Sequence, residues 1–270
     1  MLTERAVRYI ENQRGDQPFF LYLAHRNING PLIPAKRFEG QSSIGVYGDF
    51  LLEFDWSVGQ VLDALDNKGF TDNTLVIFSS DNGAVVTYGP VDRAEVNGHY
   101  VNGPLRGQKT DAYEGGHRVP FIARWPGQVP PGSESSAMIA LTDVLATFAD
   151  YFGQQLRSTE GEDSFSFLGA FLDLPPRQIT RQAMVNDSCT EVFAIRKGDW
   201  KLILSQTGGN IGDTRAHDPS KPPGQLYHLG RDPAESKNEY ARRPALVAEL
   251  SRLLKPYQDS GRSAPVARTN

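Results

Sequence analysis

The sequence predicts an α/β fold with a parallel sheet, extended by a small antiparallel sheet that carries one covering helix. In the first part of the chain, apolar runs of strand length alternate with segments of helical periodicity. After residue 180 the pattern changes to short strands, two of them joined by a hairpin-like turn. We therefore predict an α/β domain over residues 1–180, an antiparallel subdomain over 181–259 and a disordered tail over 260–270.

The α/β domain begins with a helix, because Thr3 is a suitable N-cap and apolar residues follow it at helical spacing. Residues 18–24 form a short apolar and aromatic run, which predicts a buried strand. A long helix is predicted over residues 43–68. The next strand begins at residue 74 and stops at Asp81-Asn82-Gly83. Polar side chains therefore follow its carboxyl end, where open α/β sheets bind ligands.

The remaining elements follow from the same patterns. Residues 119–125 predict a strand, and Thr142 or Asp143 caps a helix that runs through Phe152. Residues 153–180 show no clear period and are predicted as a loop. The antiparallel subdomain is predicted from three strands and a final helix, over residues 192–196, 200–204, 225–229 and 244–255.

Composition excludes several classes of protein. The chain has 270 residues and a formal net charge of -4, which argues against a nucleic-acid-binding surface. No apolar run approaches the roughly 20 residues of a membrane helix. The amino terminus lacks the apolar region of a signal peptide, so the localisation is unknown. The single cysteine, Cys189, cannot form an intrachain disulfide, and an inert packed thiol is the expected role.

Few residues point to chemistry by themselves. Asp81 and Asn82 are adjacent oxygen donors, but Ca²⁺ takes roughly six or more ligands, and Asp-Asn-Gly is also a common turn. Lys109, on a glycine-rich segment, is suited to clamp an anion, and a solvated loop lysine is the alternative. The same two alternatives apply to Arg106. His25 lies in a candidate site loop, and no histidine pair has zinc-ligand spacing.

Residues 78–83 and 104–127 closely resemble the type I sulfatases, the arylsulfatase A-like family, and weaker matches cover most of the chain. The resemblance implies an alkaline-phosphatase-like α/β/α fold. It implies that Asp81 and Asn82 are two ligands of a Ca²⁺ ion and that Lys109 binds the sulfate group. Related phosphatases carry His at the position of Asn82, so the asparagine favours a sulfatase over a phosphoesterase. In this family the nucleophile is a formylglycine made from Cys or Ser.

The departures from the family are specific. The Cys/Ser-x-Pro-x-Arg nucleophile motif and the tandem Asp ligands are absent, so the chain resembles the carboxyl-terminal portion of a sulfatase. Asn29 occupies the position of a family histidine that serves the leaving group, and asparagine cannot act as a general acid. His25 is the catalytic substitute only if its loop is rearranged. Asn186-Asp187-Ser188 stands where many bacterial relatives have His-His-Ser.

We therefore expect sulfate-ester hydrolysis at a calcium-assisted site whose nucleophile lies outside this chain, and an inactive chain when it is alone. Asn29 and Arg106 are expected to contact the substrate beside Lys109. The alternatives are a non-catalytic relative that binds sulfated glycans and an inactive fragment. The expected partners are a sulfate ester or sulfated glycan and the missing amino-terminal segment. Full-length relatives are usually periplasmic, secreted or lysosomal, and their specificity lies in variable loops, here residues 84–102 and 205–224.

Overall fold

The structure is a computed structural model that describes residues 2–86, 97–172 and 181–265. The chain divides into six segments that form two compact units. The first unit comprises residues 1–78, 85–103 and 122–131, and the second comprises residues 79–84, 104–121 and 132–270. The predicted domain boundary at residue 180 stays a prediction, while this division groups the segments 79–84 and 104–121, and the chain from residue 132, with the carboxyl-terminal sheet.

The described residues contain six α-helices, which are α1 Leu2–Glu11, α2 Val46–Asn67, α3 Glu114–His117, α4 Asp143–Tyr151, α5 Leu168–Leu172 and α6 Pro244–Ser260. They also contain six strands, which are β1 Val76–Ser79, β2 Phe121–Arg124, β3 Met184–Asp187, β4 Phe193–Lys197, β5 Trp200–Ile203 and β6 Gln225–His228. Strands β1 and β2 form one sheet, and β3-β4-β5-β6 form an antiparallel sheet in that order. No described helix has the length and apolar character that a membrane crossing requires.

The first unit packs α1 and α2 together around a small core. Ile10, Ala64 and Leu65 are buried there, and Phe19 and Leu21 pack against them. Residues 18–24 are extended, with inward and outward side chains in alternation, yet they do not form the predicted strand. A strand needs a hydrogen-bonded neighbour, and no strand of the described residues pairs with this segment.

The second unit is built on the antiparallel sheet, which is covered on both faces. On one face, Ile195, Leu202 and Leu226 pack against Leu250 and Leu254 of α6. On the other face, their chain neighbours pack against Ala112 and Tyr113 of the glycine-rich segment, and these neighbours are Ala194, Ile203 and Tyr227. Successive strand residues point to opposite faces of a sheet. The expected covering helix therefore packs on one face only, and the glycine-rich segment packs on the other.

Two further segments of the second unit differ from expectation. Helix α5 forms within residues 153–180, where the sequence predicted a loop, although residues 173–180 of that loop lie outside the described ranges. Strand β3 forms where the sequence predicted no element. Helix α6 extends to Ser260, and Ser263 then donates from its backbone N–H to an Asp163 carboxylate oxygen at 2.8 Å. The structure therefore orders residues 260–265 of the predicted disordered tail, and residues 266–270 lie outside the description.

Candidate functional site

The Asp81-Asn82-Gly83 turn lies against the glycine-rich segment that carries Lys109, and both belong to the second unit. The backbone N–H of Gly83 donates to the Gly116 carbonyl at 3.0 Å, and the N–H of Lys109 donates to the Ala84 carbonyl at 3.0 Å. Two backbone hydrogen bonds thus join the end of the turn that carries the two oxygen donors to the glycine-rich segment, one at Gly116 and one at Lys109.

Glycine is required for this close approach. A Cβ atom at Gly83 would lie 1.7 Å from the Gly115 carbonyl oxygen, and one at Gly116 would lie 2.2 Å from the Asp111 carbonyl oxygen. No side chain fits at these separations, so the glycines of the sequence motif serve packing between backbone segments.

Lys109 is half-buried and stands beside a strained residue. Thr110 has a φ of 81°, a left-handed conformation that β-branched residues rarely adopt. The Cys189 N–H donates to the Thr110 carbonyl at 3.2 Å. The side-chain amide of Asn210 donates to Thr110 Oγ1 at 2.9 Å and to the Lys109 carbonyl at 3.3 Å. The position of the lysine is therefore fixed from the strand β3 end and from a distant loop.

A buried ion cluster anchors the same glycine-rich segment to the sheet. Lys201 of β5, with 1% of its side chain exposed, lies 2.9 Å from Glu114 Oε1 and 3.0 Å from Glu235 Oε1. Glu235 Oε2 also accepts the Glu114 backbone N–H at 2.7 Å. Sequence analysis missed this cluster, because a strand lysine is usually solvent-facing. The available signal was the period of two, which puts Lys201 on the same face as buried Ile203.

Burial affects the pKa values of Glu114, Glu235 and the neighbouring His117. Burial is the largest influence on Glu114, but the His117 hydrogen bond and the Lys201 charge outweigh it and hold its pKa well below the usual range. Burial raises the pKa of Glu235, against the lowering effect of Lys201. Burial likewise lowers the pKa of His117, which faces Glu114 at 3.7 Å. The single lysine thus compensates two buried carboxyl groups.

Arg106 is held by protein groups on the segment that precedes Lys109. Its Nη1 donates to the Glu235 carbonyl at 2.8 Å and to the Tyr227 hydroxyl at 3.1 Å, and its guanidinium lies 4.0 Å from the centre of the Tyr113 ring. Arg106 also lines an open cleft of about 310 Å³ together with Asp111, Asn210 and Arg215. The expected contact of Arg106 with substrate therefore stays a prediction, and the cleft is the place where such a contact would occur.

His25 and Asn29 belong to the first unit. His25 Nε2 lies 2.7 Å from the hydroxyl of Ser57, which is buried in α2, and that hydroxyl lies 2.7 Å from Thr3 Oγ1. His25 Nδ1 lies 3.3 Å from Asn27 Oδ1. Both ring nitrogens thus have partners within the unit, whereas Asn29 is exposed.

The donor set at the strand end suits a hard cation in kind but not in number. Asp81 is exposed and Asn82 is half-buried, and the Asn82 amide nitrogen donates to the Gly83 carbonyl at 3.1 Å. That bond leaves the amide oxygen as the group able to ligate a metal. Among the described residues, no group of three His, Cys, Asp or Glu side chains is arranged to hold a metal ion. Two oxygens fall short of the six or so that Ca²⁺ needs.

Comparison with known proteins agrees with the sequence motifs. The sequence model of the Sulfatase family matches residues 1–154. An N-acetylgalactosamine-6-O-sulfatase of Bacteroides thetaiotaomicron is 36% identical over 264 residues, which are 94% of this chain and 50% of that protein. Arylsulfatase A of Homo sapiens is 32% identical over 258 residues, which are 91% of this chain and 49% of that protein.

Solved structures give the same result. A structure from work on the metabolism of multiple glycosaminoglycans by Bacteroides thetaiotaomicron has a TM-score of 0.82 and 34% identity, and it matches 95% of this chain and 53% of that one. A sulfatase of Pseudoalteromonas has a TM-score of 0.79 and 25% identity, over 99% of this chain and 54% of that one.

The fold is thus the predicted mixed α/β fold of alkaline-phosphatase-like enzymes, with an antiparallel carboxyl-terminal sheet. Within that class, the chain belongs to the sulfatase family. It spans about half the length of the curated relatives that it matches.

Proposed function

We propose that this chain supplies the sulfate-binding part of a site that hydrolyses sulfate esters, with a nucleophile contributed from outside the chain. The observation that carries the proposal is the pair of backbone hydrogen bonds that join Gly83 and Ala84, at the end of the Asp81-Asn82-Gly83 turn, to Gly116 and Lys109 of the glycine-rich segment. They hold two oxygen donors and one cationic side chain on adjoining backbone segments. The relatives named as sulfatases support the same assignment.

Each residue has a distinct part in the proposed reaction. The Lys109 ammonium donates hydrogen bonds to sulfate oxygens and stabilises negative charge as the ester bond breaks. Asp81 and Asn82 would contribute two of the oxygens that hold a Ca²⁺ ion, and the remaining ligands would come from outside the described residues. A bound divalent cation would add charge stabilisation at the sulfate oxygens. Arg106 keeps the loop of Lys109 on the sheet and reaches substrate through the cleft that it lines.

A binding experiment tests the sulfate assignment without turnover. Inorganic sulfate is titrated into the chain and followed by NMR, with Lys109→Ala and, as matched control, Lys221→Ala. Lys221 is an exposed lysine that pairs with Asp218 at 3.2 Å in the same unit. We expect Lys109→Ala to abolish saturable sulfate binding and the control to retain it. Equal binding by both variants would refute the sulfate role.

Turnover provides the second test. The chain alone, with an aryl sulfate and Ca²⁺, is expected to release no phenol, because it has no Cys/Ser-x-Pro-x-Arg motif. Co-expression with a sulfatase amino-terminal segment that carries the motif is expected to restore turnover. Phe20 and Tyr22 are 73% and 81% exposed large apolar side chains, and such exposure supports a partner at this surface. Lys109-dependent turnover by the chain alone would contradict the external nucleophile.

His25 decides between this function and a second candidate. The leaving group needs a proton donor, and Asn29 cannot provide one. His25 is the imidazole of the same loop, but its Nε2 contacts the buried Ser57 hydroxyl at 2.7 Å. Catalysis by His25 therefore requires exchange of that contact. Without the exchange, the site favours a relative that binds sulfated glycans and does not cleave them.

The two candidates differ in what a complemented site does. Calorimetry with a sulfated N-acetylgalactosamine, a sugar chosen from the name of one relative, measures binding, and sulfate release measures cleavage. Binding with cleavage that falls in His25→Ala supports the hydrolase. Binding without cleavage supports the glycan-binding relative, and absence of binding supports an inactive fragment.

A further inference from the structure

A loop of the carboxyl-terminal part, residues 205–215, reaches the turn that carries Lys109. From this loop, Gly208 accepts the Ala112 N–H at 2.8 Å. Asn210 gives the side-chain contacts to the lysine turn, with Nδ2 on Thr110 Oγ1 at 2.9 Å and on the Lys109 carbonyl at 3.3 Å. The sequence predicted this loop as a variable specificity loop and gave no sign of a contact with Lys109.

Asn210 is itself held in the orientation that these contacts require. Its Oδ1 accepts the Gly212 N–H at 3.0 Å, which identifies the opposite atom of the amide as the donor to the lysine turn. A hydrogen-bonded and half-buried amide loses little further conformational freedom when it binds Thr110. The side chain thus acts as a preformed clamp.

The clamp has a physical purpose, because Thr110 is in a conformation that it does not adopt by preference. At a φ of 81° a threonine carries strain that the surrounding contacts must offset. If Thr110 relaxed to an extended conformation, the peptide between it and Lys109 would rotate. The lysine backbone would then lose its hydrogen bond to Ala84, and the side chain of Lys109 would be redirected with it.

We propose that Asn210 is a positioning residue for Lys109, which holds the lysine by locking Thr110 in the left-handed conformation. The assignment rests on the proposed sulfate-binding role of Lys109. The 205–215 loop would then have two roles, since Asp213 and Arg215 line the cleft and Asn210 positions Lys109. Asn210 needs no contact with the substrate in this role.

The test combines Asn210→Ala with a matched control. Asn238 also makes three side-chain hydrogen bonds in the same unit, to Leu226, Tyr240 and Gly224, but none to the lysine turn. Since left-handed strain is worth about tenfold or more in an equilibrium constant, we expect Asn210→Ala to weaken inorganic-sulfate binding about tenfold. Asn238→Ala is expected to lower stability and leave sulfate affinity unchanged.

A rescue variant separates positioning from a general loss of structure. Glycine adopts a φ of 81° without strain. In a Thr110→Gly background, Asn210→Ala is therefore expected to weaken sulfate binding by less than about threefold, a smaller loss than with threonine. An equal loss in both backgrounds would overturn the clamp.

Hydrogen exchange at the Lys109 amide gives a readout that is independent of sulfate. We expect this amide to exchange faster in Asn210→Ala than in Asn238→Ala, because its bond to Ala84 depends on the clamp. Faster exchange in a chain that binds no sulfate through Lys109 would support the clamp and refute the sulfate role. Unchanged exchange with Lys109-dependent sulfate binding would refute the clamp and retain that role.

Discussion

Substitution of Lys201 by Met removes the one cation shared by two buried carboxyl groups. Its Nζ lies 2.9 Å from Glu114 Oε1 and 3.0 Å from Glu235 Oε1, and the exposed fractions of the three side chains are 1%, 3% and 0%. Methionine fills a similar volume, so the loss is mainly electrostatic. Glu235 would lose Lys201 as its cationic partner, and Glu114 would keep the Arg118 and Arg196 guanidinium groups, at 3.6 and 3.7 Å.

The expected magnitude follows from that geometry. Removal of one partner from a buried ion pair costs about 3–5 kcal/mol. The control is Lys197→Met on the neighbouring strand, whose partner Glu249 lies at 2.7 Å with both side chains nearly half exposed. Exposed pairs contribute about 1 kcal/mol or less. Urea denaturation of both variants measures the free energy of unfolding, and equal losses would refute the buried-cluster argument.

The pH dependence gives a second check on the same variant. The pKa of Glu235 is raised in the folded protein, chiefly by burial, and Lys201 lowers it. Removal of the lysine raises this pKa further, so the folded variant takes up a proton as the pH falls through it. A raised carboxyl pKa means that the folded state gains stability relative to the unfolded state as the pH falls. The cost of Lys201→Met should therefore shrink between about pH 7 and pH 5.

The native cluster has an opposing contribution from Glu114. Its folded pKa is depressed, so its stabilisation is present above the unfolded value and is lost as the pH falls towards the folded one. Lys201→Met removes part of that stabilisation. The difference in the free energy of unfolding between the native protein and the variant therefore also becomes smaller in acid. A cost that grows on acidification would contradict both assignments.

Three further predictions concern other parts of the structure. Gly83→Ala is expected to cost about 1–3 kcal/mol in thermal denaturation, because its Cβ would meet the Gly115 carbonyl at 1.7 Å. By contrast, Gly59→Ala, in open space on helix α2, should stabilise by about 0.5–1 kcal/mol, and the reverse order would refute the packing argument. Ser57→Ala is expected to cost about 1–3 kcal/mol in urea denaturation, because Thr3 and His25 lose their shared partner, and a change within about 0.5 kcal/mol would show that water replaces it. The double substitution of Phe20 and Tyr22 by Ser should reduce apolar-dye binding without loss of stability, whereas Phe19→Ser should destabilise the first unit, and dye binding that persists would place the apolar surface elsewhere.

The sequence was most informative where one periodicity extends over a long segment. The predicted start of helix Val46–Asn67 differs from the observed one by only three residues, because apolar residues recur at helical spacing along all 22 residues of the helix. Strands β4, β5 and β6 were found from short apolar runs between turns. Strand β3 was missed, since Met184–Asp187 has only two apolar residues before its polar end.

Contacts between distant polar residues were beyond such patterns. The resemblance identified Asp81, Asn82 and Lys109 from local motifs, and their roles remain proposals. By contrast, Lys201 of strand β5 contacts Glu114 of helix α3 and Glu235 of a loop, and Asn210 contacts Thr110 from a loop of no recognisable pattern. Local propensity carries no information on these pairings, because they depend on how the sheet packs on the glycine-rich segment.

The packing of the glycine-rich segment on the carboxyl-terminal sheet gives that sheet a role in the position of Lys109. Its face opposite α6 is covered by Ala112 and Tyr113, which lie three and four residues after Lys109 in the chain. Besides the bond to Ala84, the hydrogen bonds to the lysine turn and its next residues come from Cys189, Gly208 and Asn210, which lie in the connections of the sheet. A substitution in these loops therefore acts on the alignment of Lys109 as well as on the walls of the cleft. Substitutions that change substrate preference are therefore expected to preserve the contacts to Thr110. The effect on Lys109 alignment and the effect on the cleft walls can be separated, because Asn210 contacts the lysine turn whereas Arg215 pairs with Asp213.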